Sequence, residues 1–114
     1  MPYISVNISF EVSDDKKEKI KSALGNAISL IPGKSESSLM VGICDRYDIY
    51  LGGVKKEKAA YVDVKILGKA SRESKKEISI ELFNVFEQLL DIKPEDLYIT
   101  FGEHAEWGYN GGLL

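Results

Sequence analysis

The stretch Pro2-Tyr3-Ile4-Ser5-Val6-Asn7-Ile8-Ser9-Phe10 decides the fold. Apolar Ile4, Val6, Ile8 and Phe10 alternate with polar Ser5, Asn7 and Ser9, and a period of two marks a strand with one face buried. Carried back by two positions, the alternation puts Pro2 on the same side as Ile4, at the edge of the core. Met1 precedes it, and an initiator methionine is readily removed before a small residue. Pro2 would then be the N-terminus, a secondary amine able to accept a proton or attack a carbonyl, which the amide nitrogen of an internal proline cannot do. Partial burial would make that amine hold its proton less tightly than a free one.

Downstream, Ser13-Asp14-Asp15 reads as a helix start, with a capping side chain and acids in the first turn. Ile20, Ala23, Leu24, Ala27, Ile28 and Ile31 follow at helical spacing, and Pro32-Gly33 stops the helix. A second strand is expected over Ser38 to Cys44, through Leu39, Val41 and Ile43. After a turn at Asp45-Arg46, a short strand is expected through Tyr47, Ile49 and Leu51, ending at Gly52-Gly53.

The pattern then restarts. Ala60, Val62, Val64 and Ile66 alternate with Tyr61, Asp63 and Lys65; Ser71 caps a helix carrying Ile78, Leu82, Val85, Phe86 and Leu89; and Pro94-Glu95-Asp96 turns into a strand over Leu97 to Phe101. Strand, helix and strand thus occur twice, a duplication of pattern with little residue identity. Such a unit joins parallel strands by a crossover. The expected architecture is α+β: a four-stranded mixed sheet, two helices on one face, and short extra strands. The other face would present Tyr3, Ser5, Asn7, Tyr61, Asp63 and Lys65, large and mixed side chains that suit sheet-to-sheet assembly of several copies. The tail from Gly102 to Leu114 carries His104, Trp107 and Tyr109 and is expected to fold onto the domain or a neighbour.

At 114 residues the chain is read as one domain, 1–114, and its ordinary hydrophobic and charged content fits a globular protein. A net charge of −3 offers no electrostatic reason to expect nucleic acid. One cysteine, Cys44, rules out an intramolecular disulfide, and its apolar surroundings suggest a small buried hydrophobe. Nothing resembling a signal peptide or membrane span is read, so the cytoplasm is the expected location, with release that needs no signal peptide left open.

Few standard chemical constellations are available. His104 and Cys44 stand alone, no serine sits in a nucleophile elbow, and the glycine pairs match neither phosphate-binding fingerprint. No metal and no cofactor are expected. His104 reads as a surface or packing residue, and Glu103 and Glu106 as solvated. What remains is Pro2 with Lys34, which lies on the loop after the helix stop. A lysine near the amine would lower its pKa by like-charge repulsion and could bind a substrate carboxylate.

Met1-Pro2, Pro32-Gly33-Lys34, Ile66-Leu67-Gly68-Lys69, the run Pro94-x-x-Leu97-Tyr98-Ile99 and the closing Trp107-Gly108-Tyr109-Asn110-Gly111 together resemble the macrophage migration inhibitory factor (MIF) family of the tautomerase superfamily. The resemblance spans the whole chain. It implies a homotrimer with active sites at subunit interfaces, and a cofactor-independent keto–enol tautomerase acting on phenylpyruvate-like or dopachrome-like substrates. In it Pro2 is the general base, Lys34 holds the substrate carboxylate, the Leu67 backbone helps bind substrate, and Tyr98 comes from a neighbouring subunit. Thr100 stands where the best-known members carry asparagine, and Tyr3, Trp107 and Tyr109 would line the pocket. The Cys-x-x-Cys of animal members is absent near Ala59 to Val62, so thiol-oxidoreductase chemistry is not carried over. The alternative is a cytokine-like signalling protein of the same family with weak or vestigial tautomerase activity, whose receptor the sequence does not identify. A generic ligand-binding domain is the third reading.

Overall fold

The computed structural model describes residues 1–114. Strand β1 (Pro2–Ile8) leads to helix α1 (Asp14–Ile28) and then to β2 (Met40–Cys44). A small hairpin, β3 (Tyr50–Leu51) and β4 (Val54–Lys55), precedes the second unit of β5 (Ala60–Leu67), α2 (Arg72–Leu90) and β6 (Leu97–His104). A second hairpin, β7 (Gly108–Tyr109) and β8 (Gly112–Leu113), closes the chain.

The sheet runs in the order β2-β1-β5-β6. β1 is parallel to β2, β5 is parallel to β6, and the two units meet antiparallel through β1 and β5. The expected duplicated sheet is therefore the observed one. In β1 burial alternates residue by residue, with Pro2, Ile4, Val6 and Ile8 buried; Val62, Val64 and Ile66 do the same in β5. Ile4, Val6, Ile8, Val62, Val64 and Ile66 meet Ile20, Leu24 and Ile28 of α1 and Ile78, Leu82 and Phe86 of α2 in one apolar cluster, which fixes both helices on one face. The register on the other face carries Tyr3, Ser5, Asn7, Tyr61, Asp63 and Lys65, none of them buried.

Both helices begin where capping chemistry places them. Ser13 accepts the Lys16 N–H at 3.2 Å and Ser71 accepts the Ser74 N–H at 3.0 Å. Replacing Ser71 with alanine leaves that N–H without its partner and should lower stability by about 1 kcal/mol, read as a reduced urea midpoint.

Three local expectations change. The strand expected from Ser38 begins only at Met40, because Glu36–Ser38 forms a 3-10 turn. The strand expected through Tyr47, Ile49 and Leu51 shrinks to Tyr50–Leu51. Arg46 and Tyr47 donate instead to the Phe10 and Ile8 carbonyls, at 3.1 and 2.9 Å, holding that segment against the end of β1. Gly52 and Gly53, at φ +61° and +82°, then turn the chain tightly into β4, a geometry that side chains resist. Cys44 is exposed rather than buried. It ends an edge strand whose Val41 and Ile43 pack inward, so the same alternation sends Cys44 outward. No helix is long and apolar enough to cross a membrane.

Candidate active site

Pro2 is buried at the start of β1, opposite Ile66 on β5, and Ile66 in turn pairs with Glu103 on β6. One step further out, the Leu67 N–H donates to the Met1 carbonyl at 3.0 Å, and the Gly68 N–H donates to the His104 carbonyl at 2.8 Å. The Lys34 Nζ donates to the Leu67 carbonyl at 3.0 Å. Helix α1, which ends at Ile28, and the turn through Pro32-Gly33 bring Lys34 here, where its own N–H is held by the Ile31 carbonyl at 3.0 Å. Pro2, Lys34 and Leu67 are thus assembled by one chain at one end of the sheet.

The electrostatics of this end are those of a suppressed amine. The Met1 amino group is held below its ordinary pKa, first by partial burial, then by the positive charge of Lys34 and by a hydrogen bond with it. Removing a proton from this amine relieves both the desolvation and the like-charge repulsion.

Tyr98 and Thr100 lie elsewhere. Tyr98 faces Tyr61 near the start of β5, five positions along β6 from Glu103, which is roughly 17 Å of strand. Its side chain is 60% exposed, on an apolar hollow lined also by Ile49, Leu51, Ala60 and Tyr61. Within one chain neither residue reaches Pro2. Thr100 is engaged in a polar ladder across the open sheet face, donating to Asp63 Oδ1 at 2.8 Å and lying 2.6 Å from the Tyr61 hydroxyl. With its one proton given to a carboxylate, Thr100 must accept from Tyr61 and can offer only a lone pair to anything else.

Tyr3 projects over Gly42, its hydroxyl 2.8 Å from where a Cβ would stand, so glycine is what allows the ring to lie there. Trp107 is half-buried and meets the His104 ring edge-on, with centroids 6.0 Å apart. The tail, expected to fold onto the domain or a neighbour, pairs with itself in a hairpin that leaves Tyr109, Leu113 and Leu114 exposed in the single chain.

No protein-family model and no curated protein matches the chain. Solved structures do. It is similar to MIF2 of Leishmania major at 24% identity, covering 100% of this chain and 97% of that one with a TM-score of 0.91. The chain has the MIF fold. A MIF homologue from Prochlorococcus marinus superposes with a TM-score of 0.79 at 25% identity, over 97% of each chain. A fused 4-OT protein described as a symmetric trimer matches with a TM-score of 0.84 at 18% identity, over 96% of this chain and 93% of that one. The fold read from the sequence is therefore that of the MIF proteins.

Against the MIF fold, sequence reasoning passed over two carboxylates. Glu103, read as solvated, accepts the Ala70 N–H at 2.7 Å and pairs with Lys75 at 3.3 Å. Its pKa is held down chiefly by the Ala70 hydrogen bond, and then by Lys75. Asp63, read only as an outward sheet position, organises the Thr100 ladder and lies 3.5 Å from Lys65. The one available signal was register: Glu103 falls on the Pro2 rung, which only the strand pairing reveals.

Proposed function

We propose that the protein is a cofactor-independent keto–enol tautomerase of arylpyruvate-like 2-oxo acids, with Pro2 as the general base once Met1 is removed. The observation that carries this reading is the junction of the N-terminus, Lys34 and Leu67. The Met1 carbonyl takes up the Leu67 N–H, and its amine lies against Lys34. Loss of Met1 would free that N–H and present the Pro2 nitrogen beside an ammonium group. A substrate carboxylate could then take the place of the Met1 carbonyl, held by the Leu67 N–H and Lys34, with C3, the carbon next to the keto group, presented to the amine.

The same burial and the same lysine charge that depress the Met1 amine would act on Pro2, one residue further into the sheet. An amine whose pKa approaches ambient pH is a free base for a useful fraction of the time and still accepts a proton. The rate should therefore rise with pH through that lowered pKa and level off above it. Towards the enol, a proton leaves C3, the carbon next to the keto group, for Pro2 while the keto oxygen takes up a proton; ketonisation runs the same transfers backwards, with no redox change.

Tyr98 and Thr100 belong to this reading only through assembly. In a homotrimer they would enter the site of a neighbouring copy, along with the tail aromatics Trp107 and Tyr109. The cytoplasm is the proposed site of action. A signalling role in place of catalysis predicts that receptor-type binding survives loss of the base.

The direct test is ketonisation of phenylpyruvate enol, followed by ultraviolet absorbance with the Met1-processed protein. Lys34→Ala removes the carboxylate partner and should raise KM by about 10-fold or more, the worth of one charge-assisted hydrogen bond. Turnover absent in the processed wild type, or untouched by Lys34→Ala, sinks the assignment.

A further inference from the structure

The connection between β5 and α2 is short, and the atoms that meet Lys34 and the N-terminus sit on the last residue of β5, just before it. Leu67 supplies both the carbonyl that receives Lys34 and the N–H bound to Met1. Gly68 follows in the left-handed region at φ +84°, then Lys69 and Ala70, before Ser71 caps the helix. The Ala70 N–H lies outside α2, beyond the reach of any helix carbonyl, so a protein partner for it has to come from elsewhere. Glu103 provides it. Its Oε2 accepts that N–H at 2.7 Å, while Oε1 lies 3.3 Å from Lys75, one turn into α2, with the two side chains 28% and 26% exposed. Glu103 also stands on the Pro2–Ile66 rung. One carboxylate therefore joins three things: the edge strand β6, the loop behind Leu67 and the first turn of α2.

We infer that Glu103 is a positioning residue that sets the place of Leu67, and through it of Lys34, and so governs affinity for the carboxylate end of a 2-oxo acid substrate. This rests on the tautomerase reading above. Without Glu103 the connection keeps only the Gly68 N–H bond to His104 between β5 and the helix cap, with a flexible glycine at its root. The Leu67 peptide can then tilt. A displacement of about 1 Å at a binding group is enough to cost up to about 100-fold in activity, although the residue responsible touches no substrate. The carboxylate is suited to the task because a charged acceptor makes the shorter and stronger bond to an amide N–H, and Lys75, together with Lys69 nearby, keeps it ionised.

The test compares Glu103→Ala and Glu103→Gln with the wild type, all Met1-processed, on phenylpyruvate and on its ethyl ester, which lacks the carboxylate. Glu103→Ala should raise KM for the acid by about 10-fold with kcat within about 3-fold, and leave KM for the ester unchanged. Glu103→Gln should recover most of the loss, since an amide carbonyl still accepts from Ala70. Equal losses on acid and ester, a fall in kcat alone, or glutamine behaving like alanine overturns the role. Binding of 3-phenylpropanoate, read from the Leu67 amide resonance, is measured alongside. If the wild type turns over neither substrate, the tautomerase reading fails, and the positioning role stands only if Glu103→Ala weakens this ligand and Glu103→Gln does not. Absent or unaltered binding overturns it. Should Glu103→Ala not fold, Lys75→Met removes the second anchor and should give a smaller KM rise in the same direction, and no rise overturns the role.

Discussion

Pro2→Gly in the Met1-processed protein should ketonise phenylpyruvate enol at least about 100-fold more slowly than the wild type, the lower range of a positioned general base. Glycine keeps an N-terminal amine, so the loss measures what the proline itself contributes. The ring ties the nitrogen into a fixed place beside its α-carbon and packs into the buried start of β1, at the end of the sheet where Lys34 meets Leu67. Glycine there has no ring to bury and the most backbone freedom to lose. A short N-terminal extension is the companion control. It turns the Pro2 nitrogen into an amide and should abolish turnover while thermal stability is kept. Residual activity above a tenth of wild type in either protein would remove Pro2 from the role of base. Receptor-type binding that persists in both would favour the signalling alternative.

The second large effect concerns the core. Phe86 is 0% exposed on α2, packed among the apolar residues of both helices and β1 and β5. Phe86→Ala leaves a cavity beneath the sheet and should cost about 3–5 kcal/mol. Against a total of about 5–15 kcal/mol for a native protein, that is about a fifth of the stability or more. A urea titration followed by circular dichroism should show the midpoint falling with the slope nearly unchanged. A loss below about 1 kcal/mol would mean that the two helices repack around the gap. Phe86 lies away from Lys34 and Leu67, so the activity of the remaining folded protein should change little. The contrast with Pro2→Gly separates damage to the scaffold from damage to the site.

What could be read directly was whatever local periodicity and capping encode. Alternation in Tyr3 to Phe10 and in Ala60 to Ile66 gave two half-buried strands, and Ser13 and Ser71 marked both helix starts. Duplication of strand, helix and strand then allowed few arrangements other than one mixed sheet with helices on one face. Shorter elements were less legible. The chain after Cys44 is shaped by Arg46 and Tyr47 donating to the carbonyls of Phe10, just past β1, and of Ile8 at its end, bonds that no local pattern announces.

The site divides in the same way. Pro2 and Lys34 stood out by chemical type, because an N-terminal secondary amine and a nearby lysine have a use together wherever the fold permits it. That they meet was decided by tertiary structure: α1 returns the chain to the N-terminal end of β1, and the antiparallel pairing of β1 with β5 lays Leu67 beside Met1. The same pairing carries Tyr98 roughly 17 Å away along β6, so it can serve a site only on another copy. Glu103 and Asp63 were invisible beforehand for a related reason. A carboxylate in an exposed strand looks alike whether it is solvated or holds a backbone N–H, and only the register of β5 against β6 brings Ala70 to one and Thr100 to the other. Sequence determined the strands and singled out Pro2 and Lys34 as residues proposed to carry chemistry, since both readings follow from side-chain type and from side chains a few positions apart. Tertiary structure decided which of them stand on one rung, because strand pairing is set by burial of the whole apolar face at once.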